Sequence, residues 1–128
     1  MVAYKQNKMF LDTYEEPLGI NYIIIKVTED MIKRRGSRYE ATRRAWRADI
    51  NRAMKAAYVL SVTDKTVHEV YEVNNWFKDE EFTGRIGFHG HPAPVDIRNL
   101  FVGKMIPDMY CKKGCRTPFM YKKQKNKQ

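Results

Sequence analysis

Arg43, Arg44, Arg47, Arg52 and Lys55 fall within one short stretch, with Trp46 among them. Arginine and lysine neutralise phosphates and release counterions, so such a cluster suits a polyanion and makes binding steep in salt. Arginine also presents a planar fork to base edges and stacks on bases. An aromatic side chain interleaved with cations suits unstacked or single-stranded bases. Lys112, Lys113, Arg116 and Lys122 repeat the cationic chemistry near the other end of the chain, and Arg98 and Lys104 lie between the two groups. All of these are candidate nucleic-acid contacts. The competing interpretation is a solvated basic face and a solubilising tail.

A second set of residues has other chemistry. His89 and His91, separated by one glycine, are candidates for a general base acting on a phosphodiester. With Cys111 and Cys115 they make a candidate set of four zinc ligands. His-x-His and Cys-x3-Cys depart from the usual zinc spacings, so no metal is expected, nor any other cofactor. No thioredoxin-like strand and helix surround the cysteines to suggest redox work. Asp79-Glu80-Glu81 has the composition of a divalent-ion site for nuclease chemistry, yet adjacent carboxylates on a turn are more often merely solvated. Serine-centred elbows, P-loops and Rossmann glycine patterns are lacking. An enzyme is therefore the lesser expectation.

The charge distribution supports the polyanion reading. The chain has 128 residues with 24 Lys+Arg, 15 Asp+Glu and a formal charge of +9. Residues 31–57 carry nine basic and two acidic side chains, net +7, and residues 111–128 carry seven basic and none acidic, again +7. Residues 1–30 and 58–110 are mildly acidic, at -2 and -3. Dispersed charge would serve solubility; two blocks point to a partner. A mean hydropathy of -0.65 and the absence of a long apolar run argue against a membrane partner. No charged-then-apolar leader opens the sequence, and two cysteines do not make a disulfide framework, so a cytoplasmic location is expected.

These residues need elements to position them. Gly19 to Val27 reads as an interior strand, β-branched on both faces. Residues 37–57 read as one long helix. Ser37 and Glu40 open it as a capping box, and Tyr39, Trp46, Ile50, Met54 and Ala57 form an apolar stripe. On that stripe Trp46 is first a core residue and only second a stacking platform. Arg43 also lies along it and needs a carboxylate, a snorkelling route or a ligand. Tyr58 to Thr63 and Thr66 to Val73 form a hairpin around Asp64-Lys65, and Arg85 to Phe88 a further strand. Gly90 to Pro94 reads as a loop, Asp96 to Val102 as a short helix, and Phe119 to Tyr121 as a last strand. The expected fold is α+β: one long helix packed on a small bent antiparallel or mixed sheet, either open or closed as a PUA-like β-barrel. Residues 1–110 would form a single globular domain, and 111–128 a basic, partly ordered C-terminal segment.

A family resemblance accompanies this reading. Tyr39-Glu40-Ala41-Thr42-Arg43 with Trp46, Ala57 to Val62, Val70-Tyr71-Glu72-Val73 with Trp76-Phe77, and Arg85-Ile86-Gly87-Phe88 occur in order. Ile97-Arg98, Val102-Gly103-Lys104, Lys112-Lys113-Gly114, Pro118 and Tyr121 complete the series. Over roughly residues 20–122 the pattern resembles a small domain of bacteria and their phages that sometimes travels with GIY-YIG-type nuclease proteins. The resemblance transfers no established activity and no catalytic residue; a GIY-YIG core is not visible in this chain. The order of elements is also similar to small PUA and EVE barrels, which bind RNA or modified DNA bases. That similarity is one of architecture only; the two basic blocks make nucleic-acid binding the expected function, to RNA or DNA, with single-stranded or modified forms among the candidates. The alternatives are an effector that grips an acidic host protein and a small nuclease or nucleic-acid-modifying enzyme.

Overall fold

The computed structural model describes residues 12–112 and 117–123. Tyr22–Lys26 forms strand β1, whose first four residues are buried, as an isoleucine run covered on both faces should be. Thr28 then caps a helix that the periodicity did not announce, α1 (Glu29–Arg35). Its acidic first turn, basic last turn and left-handed Gly36 at the C-terminus (φ 100°) are each favourable to a helix.

The single long helix is not formed. Residues 37–57 contain two short helices, α2 (Arg38–Arg43) and α3 (Ile50–Ala53). Ser37 caps α2 as expected, its hydroxyl accepting the Glu40 amide at 3.1 Å. The Glu40 carboxylate accepts from Arg43. Arg44 is extended (φ -165°, ψ 164°), and Trp46 exchanges both backbone hydrogen bonds with Ile86 at 2.9 and 2.8 Å. The chain leaves the helix because strand pairing at an open sheet edge competes for its backbone groups and buries Trp46 as it does so. Asp49 restarts the helix by accepting the Asn51 amide.

After this crossover come β2 (Tyr58–Thr63), β3 (Thr66–Lys78) and β4 (Ile86–Pro92). They are followed by α4 (Val95–Phe101), a single 3-10 turn at Asp108–Tyr110, and β5 (Phe119–Tyr121). The five strands form one mixed sheet in the order β4-β3-β2-β1-β5. Only β1 and β2 are parallel, which is why a helical crossover joins them; the other pairs are antiparallel. In the hairpin between β2 and β3, Asp64 and Lys65 both adopt left-handed backbone (φ 51° and 68°), the twist a tight hairpin turn prefers. The expected loop at Gly90 to Pro94 belongs in part to β4, which runs to Pro92.

Each face of the sheet has a core. On one, Tyr22, Ile24, Leu60 and Val70 pack with Phe101, Ile106 and Tyr110. On the other, Ile23, Ile25, Val59, Tyr71 and Phe88 pack with Ala41, Trp46 and Ala53. Bulges at His68 and Asn74, both in β3, sharpen the twist. The rings of Trp46 and of Trp76 on β3 both reach Phe119 on β5, at centroid distances of 6.5 and 6.2 Å. Rings from distant strands meet because the sheet curls around them. The curl does not become a barrel: β4 and β5 are the two edges of an open sheet among the described residues. β5 lies inside the basic C-terminal segment, where a last strand was expected, and Met120 reaches the core.

Candidate functional site

The end of α2 rests on β4. A Cβ on Gly87 would lie 2.7 Å from the Arg43 carbonyl oxygen, 2.8 Å from the Arg44 Cβ and 2.9 Å from the Phe77 ring, so only glycine permits this approach. Arg44 then forks onto Asp79, with Nε to Oδ2 at 2.7 Å and Nη2 to Oδ1 at 2.9 Å, and Nη2 also reaches Glu81 at 3.0 Å. The Asp79 side chain is 1% exposed, and Oδ1 accepts the Glu81 and Phe82 amides as well. The Arg44 bond is the main force holding this carboxyl at about 2; the two amides act in the same direction and burial opposes them. Asp79 is thus the staple of its turn, and its oxygens are committed. Arg43, 19% exposed, binds Glu40 at 2.9 Å and lies over the Tyr39 ring at 5.9 Å. The carboxylate that Arg43 needs is therefore Glu40, three residues earlier on α2.

Beside this contact lies a depression of about 450 Å3, lined by Arg43, Arg44, Phe77, Lys78, Asp79, Glu80, Glu81 and His89. The exposed His89 ring rests on Phe77, with centroids 4.7 Å apart and planes inclined by 34°. Phe77 and Lys78 were not singled out by sequence. The available signal was the consecutive pair Trp76-Phe77: neighbouring strand residues face opposite sides, so one ring enters the core and the other cannot follow.

From β4 the chain crosses toward β1 and β5. Arg47 is exposed and reaches toward Gly84, its Nη1 4.0 Å from where a Cβ would sit. The Arg52 guanidinium stacks 3.8 Å from the Tyr121 ring centre. The Lys55 carbonyl accepts from the Asn21 side chain at 2.9 Å, and one residue later the Tyr22 carbonyl accepts the Lys122 amide at 3.2 Å. The two basic stretches therefore meet at the start of β1. Arg47, Arg52, Lys55 and Lys78 are exposed and form no ion pair among the described residues.

The other candidates are placed differently. Trp46 is 8% exposed and donates Nε1 to the Thr42 carbonyl, so its ring belongs to the core. Arg98 binds Glu69 at 2.7 Å, and Lys104 borders a depression with Asp12 and Glu15. Lys122 donates Nζ to the Pro17 and Ile20 carbonyls, lies 3.8 Å from Glu16 and sits over the Tyr22 ring. That ring belongs to a buried cluster in which Tyr14, Tyr22 and Glu16 hydrogen-bond; burial drives the Tyr14 and Tyr22 hydroxyl pKa values upward. Lys112 is exposed, whereas Lys113, Cys115 and Arg116 lie outside the described residues. His91 contacts Asn74 at 3.1 Å and Glu72 at 3.5 Å. Both histidines are on β4, while Cys111 borders a separate opening at the ends of β1 and β2. Among the described residues no group of three or more His, Cys, Asp or Glu side chains is arranged to hold a metal ion, and no helix is long and apolar enough to cross a membrane.

No protein-family model, curated protein or solved structure matches this chain.

Proposed function

We propose that the protein binds nucleic acid through residues 44–57, the segment between α2 and β2 that crosses from the β4 edge of the sheet to the β5 edge. The observation that carries this reading is the meeting of the two basic stretches. Arg47, Arg52 and Lys55 lie exposed along the crossing segment, and it ends beside the chain that leaves β5. Cations without carboxylate partners are free to exchange their counterions for phosphates, whereas Arg44 and Arg98 are already neutralised. The acidic run at Asp79 does not favour a metal-dependent nuclease, because its most buried carboxylate is consumed by Arg44 and the turn.

The test is binding to single- and double-stranded RNA and DNA across a salt series. Affinity should fall with salt. On duplex DNA, replacing Arg47, Arg52 and Lys55 together by alanine should reduce the log–log slope by about 0.9 for each phosphate that is no longer neutralised. Arg98→Ala should leave that slope unchanged. Absent affinity, or affinity flat in salt, refutes the reading.

A further inference from the structure

We infer that the depression beside α2 holds an unpaired nucleobase, stacked on the His89–Phe77 ring pair, with its phosphate on Lys78. This rests on the nucleic-acid reading above and names the form of nucleic acid. Three observations carry it. His89 is exposed although its ring is already supported from beneath by Phe77, and Phe77 is itself wedged against the position of a Gly87 Cβ. A ring held rigid by another ring and open on its outer side is a stacking platform that loses little freedom on binding. Lys78 is exposed at the rim without an ion pair among the described residues, so one cation stands ready beside the platform.

The third observation is a carboxylate in the same lining. Glu80 and Glu81 both border the depression and are exposed; Glu81 is paired with Arg44 at 3.0 Å, whereas Glu80 forms no ion pair among the described residues. A duplex presents a dense, unbroken line of phosphates, and the Glu80 carboxylate would repel it. A base turned out of its stack offers that carboxylate an amino group as donor, and brings few phosphates. A depression lined by the free cation Lys78, the free carboxylate Glu80 and a stacked ring pair therefore discriminates for single strands and against helices.

The experiment is fluorescence anisotropy with a labelled 15-nucleotide single strand and with the same strand annealed to its complement, both as DNA and as RNA. Wild type should bind the single strand more tightly than the duplex. His89→Ala should weaken single-strand binding by about fivefold or more, leaving the duplex affinity and the salt slope unaltered. His89→Phe should retain single-strand affinity, since a ring is what the base requires. Both variants alter an exposed side chain, and circular dichroism confirms that they fold. Equal affinity for single strand and duplex overturns the inference, as does an alanine variant that binds like wild type. Either result leaves the nucleic-acid reading standing. If neither form binds at low salt, that reading fails and this inference with it.

Discussion

The two ends of the crossing segment use the same residue type in opposite ways. At β4, arginine is structural: Arg44 is forked onto a carboxylate 1% exposed, its backbone neighbours press on Gly87, and Trp46 is bonded on both sides to Ile86. At β5, arginine is a surface group: Arg52 lies on a tyrosine ring and has no carboxylate partner among the described residues. A run of basic residues is therefore not a uniform surface. Its capacity for a partner depends on how many members the fold has already neutralised: after Arg43 and Arg44, both held by carboxylates, the next arginine, Arg47, forms no ion pair among the described residues.

This contrast can be broken most directly at Trp46. Trp46→Ala should lower unfolding free energy by about 3–5 kcal/mol, measured by urea denaturation, because it empties core volume and removes the indole N–H bond to the Thr42 carbonyl. A loss under about 1 kcal/mol would mean that the β4 end is no more structural than the β5 end. Gly87→Ala should cost about 1–3 kcal/mol in the same assay, through collision with the Arg43 carbonyl and the Phe77 ring.

Acid sharpens the comparison further. Asp79 is held below the ordinary carboxylate range in the folded state, to about 2, chiefly by Arg44. A depressed carboxyl adds stability at higher pH that disappears as pH falls through the interval between its unfolded and folded values. Asp79→Asn should therefore be less stable than wild type near neutrality, with the gap closing between pH 4 and about 2. Thermal midpoints recorded across that interval decide it; parallel curves would show that the Arg44 clamp contributes nothing specific.

The smallest expected change is at Arg52. Arg52→Ala should alter stability by less than about 1 kcal/mol, the usual worth of an exposed cation on a ring. It should still reduce the salt slope of duplex binding by about 0.9. A large drop in stability with an unchanged slope would reverse the roles of the two ends.

The isoleucine strand, the hairpin and the short α4 were legible because each is governed by local pattern: a β-branched run on both faces, a two-residue turn, and Ile97 and Phe101 on one side of a helix. For Arg43 the sequence left a carboxylate, a snorkelling route and a ligand open, and the structure supplies the carboxylate, Glu40. The long helix was not legible as two pieces, since its apolar stripe continues through a segment whose backbone is claimed by Ile86, forty residues further along the chain. Helix α1 carried every local signal, from Thr28 through Glu29-Asp30 to Lys33-Arg34-Arg35-Gly36, but lacks a buried residue and so no apolar period marks it. The proposed site depended on the same kind of remote information. His89 was visible as a chemical group, whereas its partner Phe77 becomes meaningful only when β3 and β4 are in register.

Strand β5 has a consequence for how the molecule is made. It contributes only three residues, yet it covers one side of β1 from nearly a hundred positions away in the chain. Contacts so remote are won late, since a long loop must close before they return anything. Until then Ile23, Ile24 and Ile25 form a bare apolar margin, the kind of template on which a second nascent copy can pair. Self-association during refolding, rather than instability once folded, is the hazard written into this topology.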